Sequence, residues 1–174
     1  MATITTTTRE FILVLADIIQ TEMSLADDHV FIYNQDFKIP EYDDLFIVLS
    51  YLGAPRALAN NNEIIVDSVT GNVSENQCLN QLENIAIDVM SRNPDARVRK
   101  EEVLMALTSV FSKAQQEQYQ FKIFSQPSSF IDISEAEGAA RINRYQITVP
   151  LMTSYRKSKI IEYYNQFSYT VKDN

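Results

Sequence analysis

Apolar residues recur with a helical period over residues 97–119, RVRKEEVLMALTSVFSKAQQEQY, and with a period of two on either side. Val103, Leu107, Val110, Phe111 and Ala114 make one stripe, widened by Leu104 and Ala106, so the spacing predicts a single helix over 97–119. Such a stripe needs a sheet to lie on. Just before it, Ile85, Ile87 and Val89 alternate with Asn84, Ala86 and Asp88, and just after it comes Phe121-Lys-Ile-Phe124. Both have the alternation of half-buried strands. Strand, helix, strand is therefore the predicted centre of the chain.

The same pattern places the other elements. Residues 1–6 form a Thr-rich arm with nothing to pack, read as flexible unless a neighbour orders it. Thr7 and Glu10 have the spacing of a capping box, and Phe11, Ile12, Leu15, Ile18 and Ile19 form the apolar face of a first helix ending near Met23. A short strand is predicted over 30–33. The apolar run LFIVLSYL, residues 45–52, closed by Gly53 and Pro55, reads as a strand buried on both faces. Residues 53–62 read as a turn and loop, since Asn60, Asn61 and Asn62 tolerate left-handed backbone. A strand over 63–69, a turn at Gly71 and a polar strand from Asn76 into Ile85 make a long hairpin whose polar tip projects from the body. Residues 135–140 read as a loop around Gly138. In the last forty residues, Ile142, Ile147, Val149 and Leu151 alternate, and Ile161, Tyr163, Phe167, Tyr169 and Val171 alternate again, which predicts a hairpin with 154–159 as its tip. Pro150 has no amide hydrogen for a ladder and is expected at an edge or bulge. The sum is an α+β fold: a single domain over 1–174, a mostly antiparallel β-sheet flanked by two α-helices, with a projecting β-hairpin.

Composition narrows the chemistry more than it names it. A chain of 174 residues with 45% hydrophobic content is enough for one core. Three glycines cannot build a phosphate-cradling loop. One cysteine, Cys78, and one histidine, His29, give no disulfide framework and no conventional zinc site, and a reducing, cytoplasmic place of synthesis fits. The longest apolar run, residues 11–19, is interrupted by Asp17 and is too short for a membrane span or a signal peptide, so no membrane association is expected. A net charge of −8 argues against the broad basic footprint of a general nucleic-acid binder.

Charge is distributed unevenly. Glu22, Asp27, Asp28, Asp36, Glu41, Asp43 and Asp44 stand against one base, Lys38. Such a run is either a solvated surface or an acidic face turned toward DNA or a basic partner. Arg92, Arg97, Arg99 and Lys100 gather at the start of the central helix, where cations oppose the helix dipole and Glu101 and Glu102 offset them. Arg156, Lys157 and Lys159 make a second basic spot. For catalysis the inventory is thin. His29 beside Asp27 and Asp28 reads as a loop histidine, Cys78 has no histidine nearby in sequence, and Glu135 with Glu137 reads as a solvated pair, so no catalytic, metal or cofactor residue is assigned. Tyr163 and Tyr164 place one ring on each face of a strand.

Leu49-Ser-Tyr-Leu-Gly53 closing the early buried strand, Ser91-Arg92 leading into Glu102-Val-Leu-Met-Ala-Leu107, and Ile161-Glu-Tyr-Tyr164 before a last strand resemble the small tail terminator, or neck terminator, proteins of long-tailed bacteriophages. The resemblance spans residues 8–171. It implies a non-enzymatic virion protein without cofactors, assembled in the host cytoplasm, that forms a ring, commonly a hexamer, which caps the tail tube protein, stops polymerisation and meets the head-side connector. DNA then passes through the channel without specific binding. On that reading Asp27, Asp28, Asp36, Glu41, Asp43 and Asp44 line the channel, and Arg92, Arg97, Arg99, Lys100, Arg156, Lys157 and Lys159 lie at interfaces. The rival expectations are another tail or neck component, such as a tube or head-completion protein, a host-directed acidic binding module, and a small hydrolase or nuclease, which the residue inventory disfavours.

Overall fold

The computed structural model describes residues 10–33, 38–124, 127–137 and 140–161. Its elements run α1 (Phe11–Glu22), β1 (Val30–Ile32), β2 (Phe46–Tyr51), β3 (Arg56–Val66), β4 (Val73–Ser91), α2 (Asp95–Thr108), α3 (Val110–Tyr119), β5 (Phe121–Ile123), β6 (Ile131–Asp132), β7 (Glu135–Glu137) and β8 (Ala140–Ile161). Among the described residues seven strands make one sheet, antiparallel except for β1 beside β2, while β7 forms a short hairpin with the start of β8. This is an α+β fold.

Two long strands organise it. β4, with 19 residues, pairs along its whole length with β8, with 22, from Val73↔Ile161 to Ser91↔Asn143. At about 3.3 Å per residue these strands run for roughly 60–70 Å, well beyond the usual strand. On its other side β4 pairs first with β2 and then with β3, which run in the same direction and are separated by a break at 52–55. Gly53, at φ +75°, supplies the left-handed backbone for that break.

The core occupies one end of this ribbon. Ile12, Leu15, Ile18 and Ile19 of α1 and Val103, Ala106 and Leu107 of α2 pack on one face, against Ile47, Leu49, Ile85, Ile87, Val89, Ile147, Val149 and Leu151. On the opposite face a smaller cluster joins Phe46, Val48, Met90 and Ile142 with Phe31 and Tyr42. Ile85, Ile87 and Val89 are thus core as the alternation predicts. Ala86 and Asp88 between them are buried too, so this part of β4 is covered on both faces.

Several sequence expectations are corrected. The helix over 97–119 is two helices. Ser109 leaves helical backbone (φ −63°, ψ 165°), and its hydroxyl accepts from Ser112 N at 2.9 Å as the cap of α3. Thr108 Oγ1 meanwhile donates back to Leu104 O and Met105 O. Adjacent hydroxyls that bond the backbone locally compete with the helix ladder. The break turns Val110 outward, 84% exposed, and leaves Ala114 exposed, so the stripe reaches the core through Val103, Ala106 and Leu107, with Leu104 and Phe111 packed beside them. Ser109→Ala is expected to lower stability by about 1 kcal/mol, measured as a denaturant midpoint shift. An unchanged midpoint would remove the cap from the account.

At α1 the helix starts at Phe11 with Glu10 as an N-cap that makes no side-chain bond, so Glu10 is not the third residue of a capping box, and Thr7 lies outside the described residues. Residues 56–62, expected as loop, are strand: Asn60, Asn61 and Asn62 pair with Leu79, Cys78 and Gln77. The 154–159 tip does not exist, because β8 runs straight through it. In both places a long partner, β4, supplies a ladder that overrides local preference. Of the second arm of that predicted hairpin, Ile161 ends β8, and Tyr163, Phe167, Tyr169 and Val171 lie outside the described residues. Residues 135–137, expected as loop, pair with β8. Pro150 is inside the inner strand β8, but its carbonyl accepts from Phe124 N at 3.1 Å. Its missing donor therefore faces Phe124 at the end of β5, where the ladder stops after one bond, and not β4. The hairpin itself is present, but its first strand covers 56–66 and not 63–69, with pairing from Arg56↔Leu82 to Val66↔Val73. Asp67 holds its turn by accepting from Val69 N at 2.9 Å and Thr70 Oγ1 at 2.6 Å, with Gly71 at φ +70°.

Candidate functional site

Beyond the core, β3, the Val73–Leu82 stretch of β4 and the end of β8 form a three-stranded ribbon. Every residue of β3 is exposed, including Leu58, Ile64, Ile65 and Val66, and Ile160 of β8 is 68% exposed. Among the described residues no strand lies on the outer side of β3. None lies on the outer side of β8 after Thr153, where its pairing with β5 ends. Among the described residues the ribbon therefore has two edges without a paired strand, on opposite sides. Apart from a bulge between Ala57 and Ala59, neither proline nor lysine interrupts β3, although those are the usual means of blunting an edge.

The basic residues separate into two places. Arg156 and Lys157 are exposed on β8 along its open edge, level with Cys78 and Gln77, whereas Lys159 Nζ is paired with Glu75 at 2.9 Å. That bond, with a further one from Gln77, holds the Glu75 carboxyl below its ordinary range. At the other end of the sheet, Arg99 makes a forked contact with Glu102 (2.7–3.0 Å) and donates to Met23 O, so it ties α2 to the end of α1. Lys100 pairs with Glu101 and lies over the rings of Phe130 and Tyr145. Among the described residues Arg92 Nε is buried without a hydrogen-bond partner, and Arg97 is exposed. Arg97, Arg156 and Lys157 thus point outward, while Arg99, Lys100 and Lys159 serve the fold.

The acidic residues gather. The Tyr42 hydroxyl donates to Asp28 O at 2.7 Å and its ring lies 4.8 Å from His29, which brings Asp27 and Asp28 beside Glu41, Asp43 and Asp44. All five are exposed, at the end of the sheet away from the ribbon tip. Asp36 lies outside the described residues. His29 Nδ1 meets Asp28 Oδ1 at 2.8 Å, a surface pair. Cys78 Sγ lies 3.3 Å from Ser154 Oγ, and among the described residues no three acidic, cysteine or histidine side chains converge as a metal would need. No described helix is long and apolar enough to cross a membrane.

Sequence reasoning missed two buried carboxylates. Asp88, 3% exposed on the helix-free face, accepts from Arg144 Nε (3.0 Å), Arg144 Nη2 (3.2 Å) and Gln146 Nε2 (3.1 Å). Glu83, on the helix side, accepts from Thr153 Oγ1 at 3.0 Å and the Tyr155 hydroxyl at 3.3 Å. The one sequence signal was an acid at an alternating position within or beside an apolar strand. Partial burial, with the Glu83 and Glu10 carboxylates beside it, pushes the Tyr51 hydroxyl up to about 12. A raised phenol favours the fold below the ordinary tyrosine range, and that contribution is lost as pH rises from about 10 through 12. An absorbance titration of the folded protein is expected to show a late tyrosine step that Tyr51→Phe removes; ordinary titration of every phenol would contradict the cluster.

The chain matches no family model and no curated protein.

Proposed function

We propose that this chain is a structural assembly protein that closes into a ring: the terminator of a long-tailed phage tail, capping the tube and meeting the head-side connector. The observation that carries the assembly part is the ribbon. A strand of 11 residues, exposed throughout and carrying Ile64, Ile65 and Val66 in a row, is an aggregation hazard on a monomer and an interface in an assembly. The phage assignment rests on the sequence resemblance. The acidic end formed by Asp27, Asp28, Glu41, Asp43 and Asp44 suits a wall along which DNA slides without adhering, since like charge repels the phosphates.

Electron microscopy of the purified protein with isolated tail tubes tests the assignment. Single caps on tube ends that stop further growth are expected. Long tubes from the protein alone would move it to the tube proteins. A protein that leaves tubes bare and instead holds one host protein would make it a host-directed binding module.

A further inference from the structure

The two open edges match one another. Asp67 N donates to Asn72 O at 2.9 Å, so the odd-numbered residues at this end of β3 turn their main-chain groups toward β4. Asn60, Asn62, Ile64 and Val66 turn theirs outward. On β8, Thr148 O and Pro150 O accept from Ser128 N and Phe124 N, so even-numbered residues face away from β4. The register of β8 with β4 has no shift, and Ser154, Arg156, Ser158 and Ile160 therefore continue that outward row past the end of β5. Both strands run antiparallel to β4 and hence parallel to each other.

Reading across β4 gives the levels. Asn62 stands level with Lys157 through Gln77, Glu63 with Ser158 through Asn76, and Ile65 with Ile160 through Ser74. In a parallel ladder, each residue with outward main-chain groups bonds the two residues that flank its level neighbour. Asn62, level with Lys157, would meet the outward groups of Arg156 and Ser158. An unstaggered copy therefore arrives with its hydrogen bonds already in phase. Side chains agree as well: exposed Ile65 meets exposed Ile160, and Glu63 lies diagonal to Arg156.

Resting on the ring reading above, we propose that residues 60–66 of β3 in one copy pair in parallel and without stagger with residues 154–161 of the next, joining successive ribbons into one continuous sheet. The occupant of each edge is a second copy of this chain. The contact is head-to-tail, the class that generates rings when its rotation closes.

Paired cysteines read this directly. In a Cys78→Ser background, Ile65→Cys with Ile160→Cys places two thiols on adjacent strands between copies, about 5 Å apart at the Cα atoms, within disulfide range. Within one copy they are separated by β4, roughly 10 Å, which is too far. Mild oxidation of the full chain is expected to give a ladder of covalent multimers, and neither single cysteine variant gives one. Asn62→Pro removes an outward amide while sparing the ladder to β4, and is expected to raise the concentration needed for assembly about tenfold or more, with the monomer's circular dichroism unchanged. Rings that form without the ladder and tolerate Asn62→Pro would overturn the edge pairing and leave the ring reading standing. Protection of the outward amides of Ser154, Arg156, Ser158 and Ile160 already present in dilute monomer would also overturn it, because the chain's own residues then fill that edge; the odd-numbered amides between them are bonded to β4 in either case. Absence of any ring, alone or on tubes, would remove the ring reading itself.

Discussion

Asp88→Ala is expected to cost about 2–3 kcal/mol, read as a lower denaturant midpoint at constant slope. The carboxylate takes three hydrogen bonds from Arg144 and Gln146 in a place almost closed to water. Removing one member of a buried pair typically costs about 3–5 kcal/mol, because the partner is left charged and unpaired. Here the Arg144 side chain is 37% exposed and regains some water, which sets the lower figure. The double variant Asp88→Leu with Arg144→Met is expected to recover most of the loss, since no charge is then stranded. A single variant within a few tenths of a kcal/mol of the parent would show that the pair is solvated and that the helix-free face of the sheet is open where the fold has it closed.

A comparison of two isoleucines in the same sheet has a comparable expected effect. Ile87, fully buried between α1, α2 and the sheet, should lose about 3–4 kcal/mol on replacement by alanine, the transfer term plus the cavity it leaves. Ile65, 41% exposed on β3, should lose about 0.5 kcal/mol or less in the monomer. The same Ile65→Ala change should weaken assembly, so its effect is expected to depend on protein concentration where that of Ile87→Ala does not. Equal effects in dilute protein would mean that the ribbon is packed against the body.

The buried half of the molecule was legible because burial writes a period into the sequence. Ile85, Ile87 and Val89 had to alternate to serve one face of β4, and Phe11, Ile12, Leu15, Ile18 and Ile19 had to form a helical face. The ribbon was legible only in part. Asn60, Asn61 and Asn62 look like turn residues, and nothing local shows that β4 offers them a ladder at Leu79, Cys78 and Gln77, on the far side of a hairpin. The same long-range partner hides the continuity of β8 through Tyr155 and Ser158. The helix break at Ser109 was hidden in the opposite sense, because the apolar spacing continues across it while the hydroxyls of Thr108 and Ser109 redirect the backbone. Of the charged positions, sequence named Arg156 and Lys157, which are exposed on β8 beyond its pairing with β5. It also named Arg99, Lys100 and Lys159, whose partners Glu102, Glu101 and Glu75 keep them within the fold. Charge is visible in a sequence; whether a charge is already answered depends on packing.

Native mass spectrometry of the purified protein over rising concentration, alone and with isolated tail tubes, separates a ring-forming chain from a monomer. A single closed oligomer of fixed stoichiometry, formed alone or seated on tube ends, is the predicted result. A chain that remains monomeric under every one of these conditions would contradict it, and the exposed β3 edge would then need another explanation.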